Sequence, residues 1–308
     1  SIASHMAVIT GDQDWVKSSK VKTLTLEHHM AASRMGFSDA FSALYNVKTW
    51  NQSLLDGTLP PYRFFVNQVL PLVKAKRRGD RFAVARIIKS FSPLLTQAAL
   101  RNAENQPSHL QQANIAIDSL MELWKHDTDP SLLDVLRRID KNNLLEIPDS
   151  LRASASDAMQ KAAEIPTGGN DEMSQQTEMT DGLEKFLKAP FSQIEPMAEY
   201  LLGNANFDTH QGVKGLEFDR VMVIMDDDEA RGFSFKYDQL FGGKSAEGKT
   251  FENTRRLFYV TSSRARKSLA LVAYASEPDR VRQFVLNKGW FTADELVGES
   301  DLNIPLPL

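Results

Sequence analysis

The spacing of hydrophobic residues changes near residue 39 and again near residue 205, which divides the chain into three parts. Residues 21–26 alternate between apolar and polar side chains, the pattern of a half-buried strand. Residues 27–35 follow as a short predicted helix, which Gly36 ends. A strand followed by a helix is the beginning of an α/β unit.

The middle of the chain, from about residue 39 to residue 161, has apolar residues at helical spacing and no strand pattern. Four amphipathic stripes follow one another, around residues 64–73, 82–91, 115–124 and 132–139. Aromatic residues at helical spacing usually belong to a core, so we expect Phe82 and Phe91 to be buried. The polar residues 165–181 have little periodicity and predict a flexible linker.

The last part returns to α/β character, with a buried strand predicted at 219–225, a helix at 252–265 and a strand at 268–274. The predicted fold class is therefore α/β, a parallel-sheet domain interrupted by a mainly helical inserted domain. The predicted boundaries are 7–38 for the first part of the sheet domain, 39–164 for the helical domain, 165–181 for the linker, 182–290 for the second part of the sheet domain and 291–308 for a tail.

The composition excludes some classes of site. With 308 residues, 42% of them hydrophobic and 25% charged, the chain has the length and make-up of a two-domain globular protein. It has no cysteine, which excludes disulfides and thiolate metal sites and favours a reducing cytoplasm. No apolar run approaches the ~18 residues of a membrane span, so we expect no membrane partner.

The formal net charge of −4 conceals a basic stretch. Residues 61–101 contain nine basic side chains and one acid, a local net charge of +8. Nucleic-acid backbones bind such surfaces by phosphate neutralisation. We expect Lys76, Arg77 and Arg78 to contact DNA here.

The segment 209–218, with the sequence THQGVKGLEF, lies between two predicted strands, where ligands of α/β sheets bind. Gly215 lets the backbone approach a ligand closely, and the Glu217 carboxylate can accept hydrogen bonds from ribose hydroxyls. Thr209 and Gln211 can donate to phosphate oxygens. The alternative is an ordinary loop in which Lys214 and Glu217 are solvated.

The segment 255–265, with the sequence RRLFYVTSSRA, places Arg256, Val260 and Arg264 along one predicted helical face. A planar guanidinium suits phosphate oxygens and stabilises the charge that develops in phosphoryl transfer. The alternative is a basic helix face whose surface ion pairs contribute little.

Together the two segments resemble motifs V and VI of UvrD/Rep-like superfamily 1 DNA helicases, whose patterns are TxHxxKGLEF and RRLxYVxxTRA. Gln211 stands where the family has histidine, with His210 one place earlier, and Ser263 stands where the family has threonine. The resemblance covers about residues 205–275. It implies the second RecA-like domain of such an enzyme, with a helical insertion.

The resemblance also implies roles for the residues. The ATP-binding residues would be Gly215, Glu217 and Arg256, with Arg256 as the catalytic arginine finger. The DNA-binding residues would be Thr209, His210, Gln211, Lys214 and Arg264. Either His210 or Gln211 would meet the DNA, and Arg264 would either organise the site or contact nucleic acid.

In enzymes of this family, ATP and Mg²⁺ lie between two RecA-like domains, and hydrolysis drives 3′-to-5′ stepping along single-stranded DNA. This sequence has no convincing P-loop or Mg²⁺-binding acidic motif. We therefore expect the chain to work with an N-terminal helicase domain on single-stranded or partly duplex DNA, to hold no metal itself and to be inactive alone. No nuclease or repair partner is indicated. The alternative is a non-catalytic DNA-binding or partner-docking module.

Two further strings match chemical patterns by letter alone. Residues 243–250, GKSAEGKT, satisfy the P-loop pattern, but residues 235–241 before them make a poor strand, and the acidic strand end at 226–229 precedes the loop. We interpret this string as a surface loop. Glu27, His28 and His29 lack the spacing of a zinc-binding helix and are interpreted as structural or solvated.

Overall fold

A computed structural model of the chain describes residues 1–95, 106–156, 170–230, 235–242 and 248–302, with the backbone alone at 106–108 and 170–174. The chain forms two compact units. The sheet unit comprises Ser1–Arg34 and Gly203–Leu308, and the helical unit comprises Met35–Leu202. Along the chain, the helical unit thus separates two segments that share one fold.

The sheet unit is built on four parallel strands, β1 (Lys22–Thr25), β2 (Phe207–Thr209), β3 (Phe218–Asp226) and β4 (Ala265–Tyr274), in the spatial order β2-β1-β3-β4. β1 precedes the helical unit in sequence, and the other three strands follow it. Leu24 of β1 pairs with Asp208 on one side and with Val223 on the other. The predicted α/β class with a parallel sheet is confirmed.

The described helices are, in chain order, α1 (Ile2–Thr10), α2 (His28–Met35), α3 (Ser38–Tyr45), α4 (Asn51–Leu55), α5 (Pro60–Phe64), α6 (Leu70–Arg77), α7 (Arg81–Phe91), α8 (Gln106–Met121), α9 (Leu132–Lys141), α10 (Asp149–Ala155), α11 (Asn170–Lys188), α12 (Ile194–Leu201), α13 (Tyr237–Leu240), α14 (Lys249–Ser262), α15 (Pro278–Asn287) and α16 (Glu299–Leu302). A single π-helical segment, Phe65–Val69, joins α5 to α6. Within these helices, none is long and apolar enough to cross a membrane.

Both faces of the sheet are covered, as parallel sheets require. Val221 and Val223 of β3 belong to a large apolar cluster, whereas Met222 between them packs against a separate cluster around Trp15 and Ala270. Successive strand residues point to opposite faces, so the two clusters lie on opposite sides of the sheet. The segment before β1 is fastened by the buried Arg220, whose guanidinium pairs with the Asp12 and Asp14 carboxylates.

In the helical unit, the apolar residues that recur at helical spacing in α9 are the ones that are buried. α9 buries Leu132, Val135, Leu136 and Ile139, which recur at three- and four-residue spacing. A capping box fixes its first turn, because the Ser131 hydroxyl accepts from the backbone N–H of the third helical residue and that residue's carboxylate accepts from Ser131 in return.

Several expectations need correction. From Asn170 onward, the expected linker is helical, in α11. Residues 182–202, expected to begin the second part of the sheet domain, belong to the helical unit, because their apolar residues pack there; Phe186, for example, contacts Phe65 edge to face. The expected tail is not separate either, since Phe291 and Leu296 pack against the core of the sheet unit.

The expected burial of both aromatic residues in the second helical stripe is also wrong. On α7, Ile88 is buried, but Phe82 is 91% exposed and Phe91 is 37% exposed. The segment is helical, as its periodicity predicts. The helical unit covers the side of α7 that carries Ile88, and the side that carries Phe82 is exposed.

The close packing of α11 on α3 generates a stability prediction. A Cβ added at the buried Gly182 would overlap Val47 Cγ2 and lie 2.9 Å from the Ala43 carbonyl oxygen. We expect Gly182→Ala to lower the unfolding free energy by about 2 kcal/mol in urea titrations, although alanine favours helix by ~1 kcal/mol. Val47→Ala should recover part of that loss in the double variant. Lys185→Ala on the exposed side of α11 serves as the control, and a Gly182→Ala protein at least as stable as wild type would contradict the packing argument.

Candidate functional site

The sheet brings the two sequence segments together at one edge. β3 follows the segment 209–218 and β4 follows α14, and the two strands pair from Phe218 and Ala265 onward. The Phe218 backbone N–H donates to the Arg264 carbonyl oxygen at 2.9 Å. Both segments therefore end at the amino ends of adjacent strands.

The connection from β2 to β3 passes over β1 in consecutive turns. Backbone N–H groups of Gly212, Lys214 and Leu216 each donate to the carbonyl three residues earlier, at 3.1, 3.3 and 3.0 Å. Val213 is fully buried in the core, whereas residues 214–217 are exposed. Gly215 has a φ of 85°, which glycine adopts without strain. The turns thus fix an exposed tip above a buried anchor.

Thr209 begins this connection with a structural role. It is 8% exposed, and its hydroxyl accepts from the Gly212 backbone N–H at 3.1 Å. A Cβ at Gly212 would overlap the Asp208 carboxylate and lie 3.0 Å from the Thr209 hydroxyl oxygen. Thr209 thus shapes the turn, and its expected role in DNA binding stays a prediction.

His210 lies in the core and is fully buried. Its backbone N–H donates to the Thr25 carbonyl at 2.8 Å, and its Nε2 lies 3.3 Å from the Leu24 carbonyl oxygen. Because Nε2 faces a carbonyl, it carries the proton, and Nδ1 accepts from the Tyr237 hydroxyl at 3.0 Å. Burial lowers the pKa of His210 to about 4. A neutral, enclosed ring cannot meet DNA, so the exposed Gln211 is the candidate at this point of the loop.

Tyr237, which is not among the residues expected at the site, connects this loop to α14. Burial raises the pKa of Tyr237, while a side-chain hydrogen bond with Thr261 opposes that shift. Thr261 is fully buried on α14, and its hydroxyl lies 3.0 Å from the Phe258 carbonyl oxygen. The sequence signals were the threonines Thr254 and Thr261 on the buried face of α14 and a tyrosine before the helix, and none of them indicates a partner without the fold.

Two adjacent arginines on α14 differ in their surroundings. Arg255 is exposed and paired with Glu252 at 2.7 Å, one turn earlier. Arg256 is also exposed, and it forms no hydrogen bond or ion pair with any residue that the structure describes. The neighbouring Leu257 is buried and anchors the helix. The buried Leu257 therefore fixes the position of Arg256 on the surface, while the Arg256 guanidinium has no partner among the described residues.

Arg264 joins the two segments. Its Nη1 donates to the Leu216 carbonyl at 2.9 Å, its Nε donates to the Val260 carbonyl at 2.7 Å, and its Nη2 donates to the Ser263 hydroxyl at 2.9 Å. All three guanidinium nitrogens are engaged in bonds within the chain. Of the two roles expected for Arg264, the geometry favours organising the site over contacting DNA.

The carboxylates of this region are used differently. Asp219 pairs with Lys267 at 2.8 Å and with Arg266 at 2.7 Å, and the hydrogen bond from Lys267 lowers the pKa of Asp219. Glu217 is exposed and has no bonded partner within the described part of the chain, and the same holds for the Lys214 ammonium. Glu217 thus remains able to accept hydrogen bonds from a ligand.

The structure describes only the last three residues of the P-loop-like string, 248–250. Residues 243–247 lie outside the described residues. Lys249 is the first residue of α14, as in a P-loop, but the preceding described element is the helix α13 and not a strand. The acids after β3 act locally: the Asp227 carboxylate accepts from the backbone N–H groups of Tyr237 and Asp238 at 2.9 and 2.7 Å.

A cavity of about 260 Å³ lies elsewhere, at the carboxyl ends of β3 and β4. Met225, Tyr274 and Val281 are among its lining residues, whereas Gly215, Glu217 and Arg256 are not. Gly215, Glu217 and Arg256 are instead exposed at the surface.

Lys76, Arg77 and Arg78 belong to the helical unit, and two of these three side chains have partners within it. Lys76 pairs with Asp118 at 2.8 Å, and the Arg77 guanidinium lies 5.3 Å from the Trp124 ring centroid. Arg78 is exposed, without an ion pair to any described residue. Of the three residues expected to contact DNA, Arg78 is therefore the one available.

The histidines after β1 also have structural contacts. His29 Nδ1 lies 3.2 Å from the Glu27 carboxylate, and its Nε2 lies 2.9 Å from the Glu229 carbonyl oxygen. Across the residues that the structure describes, no group of three or more His, Asp or Glu side chains is placed to hold a metal ion.

Comparison of the chain with protein-family models and with curated proteins found no match. The function must therefore be argued from the residues and their geometry.

The burial of His210 generates a pH prediction. Its folded-state pKa of about 4 lies below the ordinary 6.5, so the unfolded chain takes up the proton first as the pH falls. We expect the stability that the neutral His210 contributes to be fully present above pH 6.5. This contribution should be lost progressively as the pH falls to 4, by about 3 kcal/mol in unfolding free energy. Urea unfolding between pH 7 and 4.5 should show this slope, and His210→Gln should flatten it.

Tyr237→Phe is the matched control for this experiment. It should lower stability but keep the pH slope, because burial is the main cause of the His210 shift. His28, whose burial also lowers its pKa, contributes equally in all three proteins. Equal slopes for wild type and His210→Gln would contradict the assignment.

Proposed function

We propose that this chain is the C-terminal part of an ATP-dependent DNA helicase or translocase of the UvrD/Rep-like superfamily 1. The observation that carries the proposal is the junction at Arg264. This residue ties the loop tip at Leu216 to the end of α14, while Glu217 and Arg256 remain exposed and unpaired among the described residues.

The topology supports a RecA-like domain with a helical insertion. Along the chain, β1 is followed by the whole helical unit. The strands β2, β3 and β4 come after that unit and complete the parallel sheet with β1. A domain interrupted in this way keeps its own core, because the apolar cluster of the sheet unit includes residues from both segments, such as Leu24 and Val223.

The exposed residues fit one side of a nucleotide site. The left-handed turn at Gly215 has open space beside it, so a ligand can approach the backbone there. Glu217 would accept from ribose hydroxyls, and Arg256 would reach the γ-phosphate held by a neighbouring domain. The Mg²⁺ ligands and the P-loop would come from the N-terminal helicase domain.

The DNA track is proposed to use the exposed part of the loop. The side-chain donors of Gln211 and Lys214 have no partner in the described part of the chain, whereas Thr209, His210 and Arg264 hold the loop in place. The structural residues of the motif would thus set the position of the DNA-contacting ones. Single-stranded or partly duplex DNA is the proposed partner.

The alternative proposal is a non-catalytic DNA-binding or partner-docking module with the same fold. It would retain the Arg264 junction for stability and would not need Arg256 for turnover. A P-loop in the reading frame upstream of residue 1 would favour the helicase.

The arginine pair on α14 tests the catalytic proposal. In an assembly with the P-loop-bearing domain, Arg256→Ala should lower kcat for DNA-stimulated ATP hydrolysis by about 10³-fold, since an arginine finger stabilises transition-state charge. The control Arg255→Ala removes a neighbouring guanidinium that is already paired with Glu252, and it should stay within about threefold of wild type. Equal effects of the two substitutions would refute the assignment of Arg256.

The purified chain tests the division of the nucleotide site. We expect no DNA-stimulated phosphate release from it, because the residues proposed here contact the nucleotide from one side. Any nucleotide binding it does show should survive Lys249→Ala. ATP hydrolysis that depends on Lys249 would instead establish the string at 243–250 as a working P-loop.

A further inference from the structure

One side of α7 is exposed along its whole length. Phe82, Ala85, Arg86 and Lys89 recur at intervals of three and four residues, and all of them are exposed. Ile88 faces the interior instead. With 91% of its surface exposed, Phe82 is the extreme case for a large apolar side chain in this helix. We call Phe82, Arg86 and Lys89, together with Arg78 and Arg81, the α7 surface.

The cations of the α7 surface have no partner among the residues that the structure describes. Arg78, Arg81, Arg86 and Lys89 form no ion pair or hydrogen bond through their side chains with any residue in the described ranges. The nearby acid, Asp80, caps α7 by accepting from the Ala83 backbone N–H at 2.9 Å. By contrast, Lys74 and Lys76 on α6 are paired with Glu195 and Asp118.

An open aromatic ring among unpaired cations matches single-stranded nucleic acid. Bases stack on exposed aromatic faces while nearby cations neutralise phosphates. From Phe82 to Lys89 the helix rises ~10 Å, about the length of three stacked nucleotides at ~3.4 Å each. A membrane-surface helix would need a broad apolar face, and the apolar side of α7 is already packed into the helical unit.

We propose that the α7 surface binds single-stranded nucleic acid, with a base stacked on Phe82 and phosphates at Arg86 and Lys89. The inference rests on the proposed function only for the identity of the strand as DNA. It adds a contact on the helical unit that is separate from Gln211 and Lys214 on the sheet unit.

The test measures binding of the whole chain, without nucleotide, to a labelled oligothymidylate of about 15 nucleotides at several salt concentrations. Phe82→Leu keeps an apolar side chain but removes the ring, and it should weaken binding about 10-fold. Phe82→Trp should retain the affinity, because it retains a stacking face. Arg86→Gln with Lys89→Gln should weaken binding and reduce the salt slope by about 1.4, at ~0.7 per phosphate contact.

The matched control is Lys185→Gln with Lys188→Gln on α11, which removes the same charge from lysines already paired with Asp181 and Glu184. It should leave affinity and salt slope unchanged. An oligouridylate of the same length shows whether the surface prefers DNA or accepts RNA as well.

Unchanged affinity in the α7 variants would overturn the inference, as would equal losses in the α7 and α11 pairs. Binding to anionic vesicles or to an acidic peptide that depends on Phe82, without oligonucleotide binding, would also overturn it. If Gln211→Ala and Lys214→Gln weaken oligonucleotide binding while the α7 variants do not, the proposed function survives alone. The reverse result would support the α7 surface and remove the loop from the DNA track.

Discussion

The pairing of β1 with strands from the other end of the chain is the constraint on which the sheet unit depends. Its four residues lie between β2 and β3, which follow more than 180 positions later. In a parallel sheet, both neighbours of an inner strand must be present to satisfy its backbone groups. The helical unit can therefore be long and varied in sequence, provided that its two ends rejoin one sheet.

A buried polar link extends this constraint to the candidate site. His210 bonds to β1, Tyr237 bonds to His210, and the same hydroxyl interacts with Thr261 on α14. Buried polar groups are costly unless they are paired, so these bonds specify one arrangement of loop and helix. Arg264 repeats the connection at the surface through the Leu216 carbonyl. Two independent links thus hold the exposed residues in position.

The arrangement separates residues that hold the site from residues that are free to bind. The Arg264 guanidinium bonds through all three of its nitrogens and the Thr209 hydroxyl accepts a backbone bond, while Arg256, Glu217 and Lys214 have no side-chain partner within the described ranges. The helical unit shows the same division, with Lys76 and Arg77 engaged and Arg78 and Arg86 open. Partners, more than residue type, decide which cations of a basic stretch can meet a polyanion.

The sequence by itself determined the α/β class and the helical character of the middle of the chain, because strand and helix periodicity is carried by neighbouring residues. It could not determine the burial of His210 or the exposure of Phe82, since both depend on what packs against them from distant parts of the chain. Thus the expected linker is helical from Asn170 onward, and residues 182–202 belong to the helical unit. The tertiary structure decided which members of each motif are bonded within the chain and which are exposed, because hydrogen-bond partners such as Leu24, Tyr237 and Leu216 are brought close only by folding.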